Sequence, residues 1–301
     1  MKVRKPILNM ILAAIIVFSV FSASASSTKV TRQENTEETV NPEDVEYYAL
    51  IIGVEKFAGI ELPDEDHIDD SAVQWYDLLV NNTKNWKEGN IKLILNENAT
   101  KDKIIDAITG WLDDKEDEND IVLIVFEGHG DKISYLQRKH GHAALLTYNE
   151  TKKHRLEDRI TDKEFDALVD ELESKHITII LDSCYSGRML ALRQKGRVIL
   201  AAGGKYFWCG VDESDALGSG IFSFFLKQGF KGVGDTNNDG WVTPEEAFRY
   251  ARIPTIITSI YTEFPFIIEW NNKTILWFFQ VPRMYDRHPG SIKLYQYESD
   301  I

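Results

Sequence analysis

The chain has 301 residues, 43% of them hydrophobic and 27% charged, with a formal net charge of −14. That is enough for one large domain or two small ones with a full hydrophobic core, and the acid excess, which repels phosphate backbones, excludes general nucleic-acid binding. Two cysteines, Cys184 and Cys209, are too few for a disulfide scaffold and leave either a single bridge or a reactive thiol.

At the N-terminus, Lys2, Arg4 and Lys5 precede an apolar run from Ile7 to Phe21 and the sequence Ala23-Ser24-Ala25. That is the pattern of a cleaved signal peptide over residues 1–25, too short in its apolar part for a typical membrane span. The mature chain is therefore expected to be secreted or at the cell surface, without stable membrane insertion. Residues 26–46 are polar and acidic, a composition that cannot bury a core and reads as a flexible linker or pro-segment.

From Tyr47 onward, short apolar runs alternate with helical spacing. Tyr48–Val54 reads as a buried strand, and Ser71–Val80 as a helix with Ala72, Trp75, Leu78 and Leu79 on one side. Asn90–Leu95 is a second strand, followed by a helix to about Leu112 with Thr100 as its N-cap. Ile121–Phe126, Ile177–Leu181 and Arg197–Ala202 are three further strands; Thr161–Ser174 and Gly220–Phe230 are helices. Continuously apolar strands between amphipathic helices predict an α/β fold with a mostly parallel sheet covered on both faces. In such a sheet, reactive groups gather at the carboxyl ends of the strands.

Two strand ends carry chemistry. Ile121–Phe126 opens into Glu127-Gly128-His129-Gly130-Asp131, and Ile177–Leu181 into Asp182-Ser183-Cys184-Tyr185-Ser186-Gly187. Glycines permit sharp turns and close approach of backbone to a substrate. A nucleophilic cysteine needs an imidazole to activate its thiolate.

These two blocks resemble the signatures of the caspase, metacaspase and legumain superfamily. So do Ala49–Val54, the acidic stretch Asp69-Asp70-Ser71-Ala72, and Gly220–Leu226. The resemblance covers residues 47 to about 252 and implies a caspase-like three-layer sandwich as a peptidase domain over 47–255. By position it implies Cys184 as nucleophile, His129 as its catalytic partner, the N–H groups of Gly130 and Cys184 as an oxyanion hole, and Asp182 and Asp70 at the substrate pocket. Ser71 stands where metacaspases commonly carry an aspartate. Glu127 takes the place of a serine, so that it either orients His129 or faces solvent.

A second motif, Asp235 to Glu246, resembles an EF-hand loop. Asp235, Asn237, Asp239 and Thr243 supply oxygen side chains at positions 1, 3, 5 and 9, Trp241 a carbonyl at position 7, and Glu246 a bidentate carboxylate at position 12, with Gly240 at the tight sixth position. The expected ligand is a structural or activating Ca2+. Residues 256–301, rich in aromatic and β-branched side chains, are expected to form a β-rich C-terminal extension.

The function expected from this reading is an exported cysteine endopeptidase acting on a protein or peptide through a Cys–His dyad and cutting after Arg or Lys. Two alternatives stand beside it: a silent, calcium-stabilised binding module, and a legumain-like asparaginyl peptidase or peptide ligase.

Overall fold

The computed structural model describes residues 45–60, 68–81, 83–203, 217–262 and 280–297. The expected signal peptide, nearly all of the expected linker, Cys209 and most of the strand expected at Thr274–Val281 lie outside the described residues.

The chain begins with strand β1 (Tyr47–Val54), helix α1 (Ile68–Asn81), strand β2 (Ile91–Leu95) and helix α2 (Lys101–Asp106), which passes into a π-helical turn ending at Leu112. Strands β3 (Ile121–Gly128), β4 (Gly130–Lys132), β5 (Ala143–Leu146) and β6 (Arg159–Thr161) come next, then helix α3 (Asp162–Val169), β7 (His176–Asp182) and β8 (Arg197–Ala201). Helix α4 (Ile221–Gln228), strand β9 (Trp241–Val242), helix α5 (Pro244–Thr262), β10 (Arg283–Asp286) and β11 (Tyr295–Gln296) complete the order.

Six strands form the main sheet in the order β10-β8-β7-β3-β1-β2. Every neighbouring pair is parallel except β8 and β10. Successive side chains of a strand point to opposite faces, and β1 shows both faces buried. Leu50, Ile52 and Val54 pack with Ile104 of α2, Ile108 of the π-helical turn that follows it, and Phe165 and Val169 of α3. Ala49 and Ile51 pack with Trp75 and Leu79 of α1, Phe222 and Leu226 of α4, and Ala247 of α5. The sheet is thus the middle of three layers, which is why its central strands are apolar at nearly every position.

Local capping agrees with the sequence. Thr100 accepts the Lys103 N–H at the start of α2, and Thr161 does the same for Glu164 in α3. The C-terminal region departs from expectation. Helix α5 runs through residue 256 to Thr262, so the boundary expected at 255/256 falls inside a helix. Strand β10 extends the main sheet as an antiparallel edge, while β11 pairs with β9. Among the described residues, no helix is long and apolar enough to cross a membrane.

Candidate active site

Strands β3 and β7 are adjacent and parallel, with Glu127 opposite Asp182. Two residues beyond each lie His129 and Cys184, so the register itself delivers imidazole and thiol to one edge of the sheet. Both residues are half-buried. The backbone confirms the closeness of the two loops: a Cβ on Gly130 would lie 2.2 Å from the carbonyl oxygen of Cys184. No side chain fits there, so glycine is required for steric reasons. The Leu146 N–H donates to the His129 carbonyl at 3.0 Å, which makes Gly130 and Leu145 a non-hydrogen-bonded antiparallel pair. The Gly130 N–H therefore faces away from β5 and takes no part in that ladder.

The His129 ring rests against Phe57, with centroids 5.9 Å apart. After Cys184 the chain turns through Tyr185, at φ 58°. Ser186 fixes the loop by accepting the Gly203 N–H at 2.9 Å, while the Gly187 N–H donates to the Gly203 carbonyl at 3.0 Å. Arg159 forks onto Glu150 at 2.7 and 2.8 Å and reaches Asp131, two residues after His129, at 2.9 Å, holding β4 against the loop before β6.

Near the carboxyl ends of β3 and β7 lies a buried polar network that the motifs only partly announce. Glu127 is 2% exposed and faces neither His129 nor solvent, in contrast to expectation. Its Oε1 accepts from Trp75 Nε1 at 2.7 Å and from Ser223 Oγ at 2.5 Å. Asp182 is likewise buried; its Oδ2 accepts the Ser223 N–H at 2.9 Å, satisfying a donor at the start of α4 that Gly220, the N-cap, cannot reach with a side chain. Lys227 lies over the Trp75 ring and donates to Gln74 Oε1 at 2.8 Å, Ser219 Oγ at 3.1 Å and Ser71 Oγ at 3.2 Å. Ser71, fully buried, is thus the residue of the early acidic stretch that enters the network, while Asp70 is exposed on the first turn of α1. Glu127 and Lys227 escaped the sequence reading as members of one site because no spacing rule links β3 to α4; only the fold does.

Burial, with the neighbouring Asp182 charge adding to it, raises Glu127 from 4.5 to about 8. Burial also raises Asp182 and lowers Lys227 to about 8. A carboxyl whose folded pKa exceeds its unfolded value holds its proton longer in the folded chain. Stability must therefore fall as pH rises through that window. Between pH 4.5 and about 8, the melting temperature should decline more steeply for the wild type than for Glu127→Gln, which mimics the protonated acid permanently. Parallel curves across this range would contradict the assignment. Lys227 acts above the window with the opposite sign, its burial cost fading as it loses its proton.

The Asp235–Glu246 loop is held by side-chain-to-backbone hydrogen bonds of its own. Asp235 accepts the N–H groups of Asn238 at 2.8 Å and Gly240 at 3.0 Å, with Gly240 at φ +83°. Asn237 accepts the Asp239 N–H, and Asp239 the Trp241 N–H. Trp241 and Val242 form β9, held by β11. Glu246 closes a reciprocal cap on α5: its Oε2 accepts the Thr243 N–H at 3.1 Å, and its N–H donates to Thr243 Oγ1 at 3.2 Å. The donors are all oxygen, which suits Ca2+. Yet among the described residues no three His, Cys, Asp or Glu side chains converge closely enough to hold a metal, and Glu246 is engaged in the cap.

Residues 67–193 match the metacaspase, peptidase C14 domain family. No curated protein matches the chain. Among solved structures, a crystal structure of a Geobacter sulfurreducens protein is similar in fold, with a TM-score of 0.51 at 12% identity, over 83% of this chain and 97% of that one. The matched segment, similar to that peptidase family, contains both His129 and Cys184 and spans the sheet edge where they meet.

Proposed function

We propose that the chain is an exported endopeptidase in which Cys184 attacks the scissile carbonyl and His129 activates the thiol and protonates the leaving amine. The observation that supports this reading is the β3–β7 register, with Glu127 opposite Asp182 two residues before each of the pair, together with the close approach of Gly130 to the Cys184 carbonyl. The Gly130 N–H, turned away from β5, and the Cys184 N–H are the donors assigned to the oxyanion. Such donors contribute about 3–4 kcal/mol of transition-state stabilisation when one is removed by mutation.

For the residue before the scissile bond, the reading favours Arg or Lys. Ser71 makes the pocket less acidic than in metacaspases, and Asp182 is the carboxylate assigned to meet a cationic side chain there. Cleavage of peptides that differ only at this residue tests it. The expected order is Arg or Lys, then Asn, then Asp; a preference for Asp would overturn the role given to Asp182, and a preference for Asn would favour the asparaginyl alternative.

Ca2+ is proposed for the loop through Asp235, Asn237, Asp239, the Trp241 carbonyl, Thr243 and Glu246. When bound, it would neutralise the loop carboxylates and stabilise the native state by mass action. Binding requires Glu246 to leave its cap. Calcium added to metal-stripped protein should raise the melting temperature, and Asp235→Ala should remove most of that rise. Equal melting temperatures with calcium and with chelator would sink the assignment.

A further inference from the structure

We propose that the turn between β4 and β5 docks the chain on an anionic lipid surface, with Tyr135 and Leu136 entering the headgroup layer and Lys132, Arg138 and Lys139 meeting lipid phosphates. Lipid contact lies beyond the peptidase reading and does not depend on it. Tyr135 and Leu136 are 85% and 91% exposed, the two most exposed large apolar side chains among the described residues, and they are consecutive. Single exposed apolar residues are ordinary; a contiguous pair rimmed by polar groups marks a surface built for contact. The neighbouring Ile133 and Ala143 are buried, so the segment sends part of its apolar content into the core and part into solvent.

Charge selects the partner. The chain as a whole is acidic, with 48 Asp and Glu against 34 Lys and Arg. From Lys132 to His142 it carries no acidic residue, and Lys132, Arg138 and Lys139 are all exposed. The exposed Lys163 of α3 joins them, its ammonium donating to the Lys139 carbonyl at 3.1 Å. The carboxylates that border the segment are engaged elsewhere: Asp131 accepts from Arg159 at 2.9 Å, and the buried Asp162 accepts the His142 N–H at 2.7 Å. A basic surface with an apolar tip, on an otherwise acidic molecule, fits a bilayer bearing phosphatidylglycerol, where cations bind phosphate and the tip reaches the acyl boundary. A soluble polyanion would satisfy the cations but leave Tyr135 and Leu136 in water.

The backbone presents the pair instead of hiding it. Tyr135–His140 is a 3-10 helix, in which side chains three apart lie in line. Tyr135 is therefore in line with Arg138, and Leu136 with Lys139, so each apolar side chain has a long cationic one a single turn away, able to reach back to the phosphates. The root of the turn is fixed. The Ile133 N–H donates to the His142 carbonyl at 3.1 Å, and a Cβ on Gly141 would fall 2.1 Å from Asp162 Oδ1. Docking from a fixed root costs little ordering entropy. At that root Lys132 lies 5.9 Å from the ring centroid of Tyr185, the residue after Cys184. A docked turn would hold the candidate active site at the bilayer surface, because the six residues from His129 to Tyr135 span no more than about 22 Å.

The exposed basic segment Lys152–Arg155 lacks the second half of this pattern. Its Arg155 pairs with Glu157 at 2.9 Å. Among the described residues the exposed large apolar side chains are Tyr135, Leu136, Val233 and Ile253, none of them in that segment. It can attract an anion but has nothing to bury, which makes it an internal control.

The test is co-sedimentation with vesicles of equal parts phosphatidylglycerol and phosphatidylcholine, and with vesicles of phosphatidylcholine alone. The protein used starts at Ser26, because the apolar run of residues 7–21 would bind lipid by itself and every described element lies after it. The expected result is binding to the anionic vesicles at least about tenfold tighter than to the neutral ones, weakened by added salt. Tyr135→Ser with Leu136→Ser, and separately Arg138→Gln with Lys139→Gln, should each lose at least about tenfold, while Lys152→Gln with Lys153→Gln should lose less than about threefold. Leu136→Trp should tighten binding, since indole favours the interface; that gain requires a folded turn and so separates lost contact from misfolding. Equal binding by all variants, an equal loss in the Lys152/Lys153 control, or no preference for anionic vesicles overturns the proposal. So does a dimer in solution that Tyr135→Ser with Leu136→Ser abolishes, without vesicle binding, which would assign the pair to a contact between copies.

Discussion

Alanine at Cys184 or at His129 should each lower peptide cleavage by about a thousandfold or more, and the double replacement should cost little beyond either alone. The reason is that the two side chains act as one unit: a thiol without its imidazole is a weak nucleophile at neutral pH, and an imidazole without the thiol has nothing to activate. Neither change should disturb the fold. The two residues follow the ends of β3 and β7, and the ladder that aligns them runs between backbone groups from Ile121 to Glu127. The checks are kcat/KM on an arginine peptide and the melting temperature of each variant. Near-normal cleavage by Cys184→Ala would remove the nucleophile assignment. Fully additive losses would mean the two residues act in separate steps.

The second large effect concerns stability. Arg159→Met is expected to destabilise the folded chain by about 3–5 kcal/mol, the range for removing one partner of a buried ion pair. Glu150 has a fully buried side chain, and the Arg159 side chain is 8% exposed. Burial alone would raise the Glu150 pKa, but hydrogen bonds from Arg159 and His154 hold it below its ordinary value. Without the guanidinium, Glu150 must either stay charged in an apolar place or take up a proton. Replacing both partners, as Arg159→Met with Glu150→Leu, should recover much of the loss, since an apolar pair leaves no orphaned charge. Chemical denaturation of the three variants measures this; a loss below about 1 kcal/mol for Arg159→Met, the level of a surface pair, would show that the cluster is not tightly coupled to the fold. Because Arg159 also holds Asp131, next to Gly130, the single variant should lose activity before it unfolds.

How much of this was legible in the sequence depended on whether the signal was local. The apolar runs at Tyr48–Val54, Ile121–Phe126 and Ile177–Leu181 announced buried parallel strands, and the two glycine-flanked motifs at their ends placed His129 and Cys184. Thr100 declared its cap through its spacing to the helix. What was not legible came from contacts distant in the chain. Glu127 was ambiguous because its partners, Trp75 and Ser223, lie on helices 52 and 96 residues away. Lys227 looked like an ordinary helix residue until the fold carried it to Ser71, 156 residues distant. The loop at Asp235–Glu246 showed its oxygen pattern plainly, but a Thr-x-x-Glu sequence encodes a helix cap as well as two ion ligands. The β10 edge strand went unread because its residues, Arg283-Met-Tyr-Asp286, lack the apolar run of a central strand; an edge strand with one partner does not need one.

The central claim is that Cys184 is a nucleophile activated by His129. The most direct measurement is covalent labelling with a thiol-directed peptidyl ketone that carries arginine beside its reactive group, followed by mapping of the modified residue. The account predicts one adduct per chain, on Cys184, forming at neutral pH and slowing by at least about a hundredfold in His129→Ala, as expected when the base of such a pair is lost. An adduct on Cys209 instead, or equal labelling rates with and without His129, would contradict it.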